Sequence, residues 1–279
     1  MQQVFNIVNT LLENNPVTKK NKLLIRTYKV VPLSRRSGVL GWCEDTTPLG
    51  TYLEEAHILY RPKDMKPGDA RRKLEACRVH RKTNREKLRV FREILANFKP
   101  VFHNFFTEYY HDPVTWYERR LAYTRSVATS SMVGYILGIG DRHVKNILID
   151  KTTGEVIHID FGIAFDQGMA LPTPETVPFR LTQDIISGFG CCGIEGMFRR
   201  CCEKTLQLLR DNQETLLTIL QVLLCDPLYS WTVKGAPKEA AQCSYLVSST
   251  PTVLHRHIYI YSFDVFLETG ASFRKSKKI

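Results

Sequence analysis

The sequence predicts an α+β fold with a small strand-bearing part and a larger, mostly helical part. Three patterns carry that expectation. Short apolar runs bounded by turn residues gather between Leu23 and Cys43. Long segments of helical period fill most of residues 51–138 and 202–224. A single strand pair, Ile147–Asp150 and Val156–Ile159, sits between the helices. A chain of 279 residues has room for one large domain or two lobes, and 43% apolar residues is ordinary for a globular protein.

Taken in order, Met1 to Leu12 places Val4, Ile7, Val8, Leu11 and Leu12 on one helical face. Leu23 to Leu33 reads as a strand, Ser34 to Gly38 as a polar turn, and Val39 to Cys43 as a second strand. Thr51 to about His111 is expected to be largely helical, broken at Pro62 and Pro67-Gly68. Trp116 to Gly138 reads as a long helix with Val127, Val133, Ile136 and Leu137 on its apolar side. Lys151-Thr152-Thr153-Gly154 is the turn of the strand pair, with His158 as a packed hairpin residue. Cys202 to Leu224 reads as one more helix, with Leu206, Leu209, Leu216, Leu220 and Leu223 in the core.

The net charge of +11 is uneven: Arg71, Arg72, Lys73, Arg78, Arg81, Lys82, Arg85, Lys87, Arg89 and Arg92 crowd one segment. Leu74, Leu88, Phe91, Leu95 and Phe98 form a partial apolar stripe there, so the segment reads as a basic helix with one buried side. A solvated face is the plainer account and a contact for DNA or an acidic partner the sharper one. No aromatic interleaving points to direct reading of bases. Met1-Gln2-Gln3 begins no basic-then-apolar leader, and no apolar run approaches the ~18 residues of a membrane span, so no membrane partner is expected. The eight cysteines lack Cys-x-x-Cys zinc spacing and a secretory pattern, which predicts reduced, mostly buried thiols.

The most specific signal is Gly140-Asp141-Arg142-His143-Val144-Lys145-Asn146, followed after the hairpin by His158-Ile159-Asp160-Phe161-Gly162. Phosphoryl transfer needs a carboxylate beside the attacking hydroxyl, and hard oxygen ligands that hold magnesium against ATP phosphates. In protein kinases an Asp precedes an Asn by five positions and an Asp-Phe-Gly follows. Here Asp141 precedes Asn146 by five, and Asp160-Phe161-Gly162 follows. Asp141 is therefore the candidate base, with Asn146 and Asp160 the candidate metal ligands. The hairpin would bring those two ligands side by side.

Kinases commonly order the loop His-Arg-Asp; this chain has Asp141-Arg142-His143. That inversion resembles the phosphatidylinositol 3-kinase-related kinases. Residues 121–131, Leu171-Pro172-Thr173-Pro174-Glu175-Thr176-Val177-Pro178-Phe179-Arg180-Leu181-Thr182 and residues 198–205 resemble the ATM-type DNA-damage kinases within that group. The resemblance runs from Met1 to about Thr232 and is weaker near residues 53–98. It implies a protein-kinase-like bilobal fold of the PI3/PI4-kinase type. Residues 1–43 would be an incomplete N-lobe with the hinge, residues 44–234 the helical C-lobe, and residues 235–279 an atypical tail without the family's C-terminal helical element. It implies ATP and Mg2+, with Mn2+ as an alternative, and makes His143 a donor to the transferred phosphate. Leu40, Gly41, Trp42 and Cys43 fall at the family's hinge. Tyr28 matches an inner-pocket tyrosine, and Leu148 and Ile159 would form the pocket floor; each of these also reads plainly as a strand residue.

Substrate class rests on the activation segment. A phosphoinositide headgroup calls for Lys and Arg, yet none lies between Gly162 and Phe179, whereas Asp166 and Glu175 are acidic. Protein is the better substrate. The resemblance adds Ser or Thr followed by Gln, DNA-damage sensor proteins as partners, an indirect relation to DNA, and the nucleus. It also implies a phosphate-covering loop, a strand Lys and an acidic stretch ahead of the residues that match Met1 onward. The 279 residues alone are therefore expected to turn over little, and a catalytically silent interaction fragment is the alternative.

Overall fold

The computed structural model describes residues 1–34, 37–80, 82–165, 167–171, 175, 177 and 179–224; the expectations for Trp231-Thr232 and for residues 235–279 lie outside them. Helix α1 (Gln2–Asn14) buries Val4, Phe5, Val8 and Leu12, one side of the helical period. Asn15 ends α1 and caps α2 (Pro16–Lys20), accepting from Val17 N at 2.9 Å and Thr18 N at 3.3 Å. The strands that follow are shorter than the sequence pattern. Only Val30–Pro32 (β1) and Gly38–Leu40 (β2) pair, antiparallel, with Val30 opposite Leu40. Upstream of β1 the backbone of Ile25 is taken by a side chain: Asn9 donates to Ile25 O and accepts from Ile25 N, both at 2.8 Å. A backbone satisfied in this way needs no neighbouring strand.

A third strand, β3 (Thr46–Pro48), is added to the expected hairpin of β4 (Ile147–Asp150) and β5 (Val156–His158), in the order β3-β4-β5. Thr47 faces Ile149, and Leu148 faces Ile157. The Thr-Thr-Pro of β3 has neither alternation nor length, so it carries no strand signal of its own. In the hairpin turn Asp150 Oδ1 accepts from Thr152 N and Thr153 N at 2.8 and 2.9 Å, and Gly154 takes φ +78. Arg26 ties the segment before β1 to this hairpin, 3.2 Å from Asp150 and 2.8 Å from Glu155.

The helical expectation for residues 51–111 resolves into α3 (Leu49–Tyr60), α4 (Pro67–Val79), α5 (Asn84–Ala96) and α6 (Asn104–Tyr109). Pro67 opens α4 at its first turn rather than merely ending what precedes it. The basic stretch is thus two helices. Thr83 caps the second with a full capping box to Glu86. The expected stripe is not buried as a whole: Leu88, Leu95 and Phe98 are half-buried and Leu74 and Phe91 exposed, while the buried residues of the two helices are Cys77 and Ile94.

Helix α7 (Pro113–Ile136) is capped by Asp112, which accepts from Thr115 N at 2.9 Å. From Ser126 to Ile136 it is buried on every side, not along one stripe. Three of its hydroxyls are hydrogen-bonded as follows: Thr124 and Thr129 donate to the carbonyls four residues back, and Ser126 donates to Tyr123 O and accepts from Val156 N of β5 at 3.0 Å. Gly138, at φ +58, turns the chain out of the helix toward the sheet. Aromatic rings fill the adjoining core, with Phe102, Phe105, Phe106 and Tyr123 in mutual contact and Tyr123 donating to Ile185 O.

After α8 (Gln183–Ser187), the single helix expected over 202–224 is two, α9 (Met197–Asp211) and α10 (Gln213–Leu224). Asn212 interrupts them, its side chain bonding back to Leu208 O at 2.9 Å. Helix α9 lies along α7, and α1 packs on both α9 and α10, so residues from both ends of the described chain share one core. Cys77, Cys201 and Cys202 are buried free thiols, as expected, but Cys191 and Cys192 are exposed.

Gly188 sits against the aromatic cluster: a Cβ there would meet Tyr123 Cε1 at 2.6 Å and Phe102 Cδ1 at 2.8 Å. Gly188→Ala is expected to destabilise the fold by about 1–3 kcal/mol through overpacking. Phe102→Ala should cost about 3–5 kcal/mol through the cavity it leaves. Urea unfolding followed by far-ultraviolet circular dichroism measures both.

Candidate active site

The loop from Gly140 to Asn146 joins α7 to β4, and the Asp160-Phe161-Gly162 segment leaves β5 at the same end of the sheet. Antiparallel pairing makes them neighbours. Ile147 faces His158, and one step further Ile159 N donates to Asn146 O at 3.0 Å. Asn146 and Asp160 thus flank one another where the two strands end.

Arg142, the residue between the candidate base and His143, holds this junction together. It is 5% exposed, and burial pushes its guanidinium down from its ordinary range against the favourable charges of Asp141, Asp160 and Glu175. Its Nε donates to Gly140 O at 2.9 Å, its Nη1 to Ile159 O at 2.7 Å, and its Nη2 to Asp160 O. Its Cζ also lies 5.2 Å from the Phe161 ring centre, and Phe161 meets Phe5 of α1 edge-on at 5.1 Å. Sequence reading passed over this residue. The available signal was an Arg set directly between two candidate catalytic side chains.

The loop backbone sets the remaining side chains. Asp141 is half-buried in the left-handed region, φ +58, its N–H given to Glu175 Oε2 at 2.7 Å. Asn146 is buried and donates Nδ2 to Asp141 O at 3.0 Å, which leaves its amide oxygen as the free atom. Asp160 is exposed at φ +55; its Oδ1 accepts from Gly162 N at 3.2 Å, and Oδ2 remains open. His143 is exposed, and its Nδ1 accepts from Lys145 N at 3.2 Å. That bond places the proton of the neutral ring on Nε2. His158 points into the interior with Arg180, Val156 and Ile149, and burial followed by the charge of Arg142 pushes it down to about 3. It is a packed neutral residue, as its place in the hairpin predicts.

The two hard oxygens fit magnesium, which takes few protein ligands and keeps waters and phosphates in its shell. Among the described residues there is no cluster of three or more His, Cys, Asp or Glu that could hold a metal. A site of one amide and one carboxylate oxygen suits an ion that arrives with a phosphorylated substrate.

The candidate nucleotide residues fall into two groups. Tyr28 is half-buried, close enough to Cys43, Arg142 and Asp160 to feel their charges, and burial pushes its hydroxyl up. Leu148 of β4 and Ile159, just after β5, are also half-buried. By contrast Leu40, Gly41 and Trp42 lie open, Trp42 at 90% exposure. Gly41 N donates to Lys29 O at 2.7 Å, and Cys43 O accepts from Thr46 Oγ1 at 2.8 Å. A wide bay of about 740 Å³ lies away from all of these, lined by Arg61, Lys63, Arg72, Lys73 and Lys99 with Asp64 and Asp69. Arg72 is paired with Asp69 and Lys73 with Glu93, so it reads as a solvated charged face.

A family model described as phosphatidylinositol 3- and 4-kinase matches residues 1–233. The chain is 59% identical over 237 residues to the serine-protein kinase ATM of Sus scrofa, covering 84% of this chain and 8% of that protein. It is 52% identical over 248 residues to the serine/threonine-protein kinase ATM of Arabidopsis thaliana, covering 87% of this chain and 6% of that one. The chain therefore spans less than a tenth of these relatives. A solved structure of the FAT and kinase domain of CtTel1 superposes with a TM-score of 0.83 at 40% identity, over 99% of this chain and 19% of that one. The catalytic loop and its hairpin are carried on a known kinase scaffold, and the chain belongs to the phosphatidylinositol 3- and 4-kinase family.

Proposed function

We propose that these residues are the catalytic part of an ATP-dependent protein serine/threonine kinase. It would act in the nucleus in DNA repair, checkpoint signalling and telomere maintenance, on Ser or Thr followed by Gln. The observation that carries the reading is the convergence of Asp141, Asn146 and Asp160 at one end of the β4–β5 hairpin, clamped by Arg142. Similarity to kinases named ATM and tel1 supports a protein substrate. So does an activation segment without Lys or Arg from Gly162 to Phe179, since a polyphosphorylated headgroup would find no cation there. DNA-damage sensor proteins are the partners this reading implies, with DNA reached through them.

Asp141 orients the substrate hydroxyl and accepts its proton as the oxygen attacks the γ-phosphorus. The bond to the bridging oxygen breaks on the far side, and ADP leaves. Asn146 Oδ1 and Asp160 Oδ2 are the atoms that would hold Mg2+, or Mn2+ in its place, and the ion would neutralise charge on the phosphates. His143 donates from Nε2 to the phosphoryl oxygens as their charge grows. Tyr28, Leu148 and Ile159 line the inner side of the adenine slot. Leu40, Gly41, Trp42 and Cys43 form its outer edge, with the flat face of Trp42 and backbone groups of Cys43 offered to the base. Arg142 takes no part in the chemistry; it keeps the carbonyls of Gly140, Ile159 and Asp160 in register beneath these groups.

In a kinase polypeptide carrying this segment, Asp160→Ala should abolish magnesium-dependent phosphorylation of a Ser/Thr-Gln peptide while the thermal melt stays nearly unchanged. Near wild-type turnover would overturn the metal assignment. Asp141→Ala should lower kcat far more than it weakens ATP binding, because the carboxylate acts on the hydroxyl and not on the nucleotide. Phosphoinositide vesicles offered in the same assay should remain unlabelled. Arg142→Lys supplies a charge but no planar fork. Leaving carbonyls unpaired should cost about 1–3 kcal/mol and speed amide exchange over residues 140–146 and 159–162, as mass spectrometry would read.

A further inference from the structure

We propose that Glu175, in the activation segment, is a positioning residue for phosphoryl transfer: its carboxylate holds the backbone of Asp141 and makes alignment of the base depend on where Glu175 is held. The proposal rests on the kinase reading above and adds a residue outside the loop and its metal ligands. Glu175 Oε2 accepts the Asp141 N–H at 2.7 Å, while Glu175 N donates to Gly168 O at 3.0 Å. The activation segment therefore reaches the catalytic loop from both of its sides. At the near side Gly140 N donates to Ile163 O at 3.1 Å and Phe165 N to Leu137 O at 3.0 Å. Glu175 closes the far side with a charge-assisted bond, the stronger kind.

Two glycines make room for that carboxylate. A Cβ at Gly140 would stand 2.9 Å from Glu175 Oε2, and one at Gly168 would stand 3.0 Å from the same oxygen. A side chain at either position would crowd that oxygen and push it from its place. Asp141 also needs an anchor, since φ +58 is a conformation that a non-glycine residue seldom keeps without support. A bond to its own N–H is the most direct support available. The charge of Glu175 has a second use. Burial pushes the guanidiniums of Arg142 and Arg180 down, and Glu175 works against that shift at both. One carboxylate thus touches the base's backbone and stands near the loop's buried brace.

The test compares Glu175→Ala with Glu175→Gln in the kinase polypeptide carrying these residues, on a Ser/Thr-Gln peptide. Alanine removes the acceptor; glutamine keeps an acceptor of the same length and loses only the charge. Glu175→Ala is expected to lower kcat about 10- to 100-fold, the scale of a misplaced catalytic group, with KM for ATP within about two-fold. It should also speed exchange of the Asp141 amide. Glu175→Gln should recover most of the lost kcat and the amide protection. Turnover of the alanine variant within about two-fold of wild type would overturn the proposal, because a misplaced base must slow the step. So would a glutamine variant as slow as alanine, or parallel losses of kcat, ATP affinity and melting temperature. Asp160→Ala run alongside keeps the two levels apart. Turnover that survives Asp160→Ala overturns the metal assignment alone, whereas a wild-type polypeptide that leaves the peptide unphosphorylated sinks the kinase reading itself, whatever Glu175 does.

Discussion

The candidate site of this molecule is held together by one buried guanidinium. Arg142 gives up water without a carboxylate ion pair among the described residues and takes three backbone carbonyls instead. Burying a charge is costly unless its hydrogen bonds are replaced, and a planar fork replaces several at once. The carbonyls belong to Gly140 on one side and to Ile159 and Asp160 on the other. The loop that bears Asp141 and the segment that bears Asp160 cannot drift apart without breaking those bonds. Phe161 under the guanidinium and Phe5 beyond it carry the constraint into α1.

The core extends the same logic. The second half of α7 is buried all round, and its Ser126 is bonded to the backbone of β5, so the long helix and the hairpin move together. Phe102, Phe105, Phe106 and Tyr123 pack the space between α6 and α7 with rings that leave few alternative arrangements. On this floor Asn146 and Asp160, the proposed metal ligands, are held side by side, and positioning supplies most of what phosphoryl transfer needs. The β1–β2 edge is built differently. Val30, Val31, Val39 and Leu40 are exposed there, and Trp42 stands almost clear of the protein. Stiffness lies beneath the site and openness lies at its rim.

Local chemistry wrote much of this into the sequence. The five-residue spacing of Asp141 and Asn146, the turn between two short apolar runs, and the Asp-Phe-Gly after them sit between Asp141 and Gly162, and hairpin pairing brings them together. Helix α1 follows from its apolar period, and α7 lies on the segment that reads as a long helix from Trp116, although it opens earlier, at the Asp112-Pro113 cap. Where side chains compete with the backbone the pattern misleads. Leu23 to Lys29 has the composition of a strand, but Asn9 satisfies Ile25 from a helix sixteen residues earlier. Asn212 lies inside an unbroken leucine period, yet its amide folds back on Leu208 and splits the helix.

What the sequence alone determined was therefore the order of the candidate groups and the hairpin that joins them, because each depends on neighbours within a few residues. Contacts between distant segments decided the rest. Thr46–Pro48 becomes a strand only because β4 offers it an edge. Arg142 becomes the brace only because β5 ends beneath it. Glu175 meets the Asp141 amide across 34 residues of chain, and nothing in either segment's own pattern announces the bond. A buried charge or a borrowed edge is an agreement between surfaces, and surfaces exist only once the chain has folded.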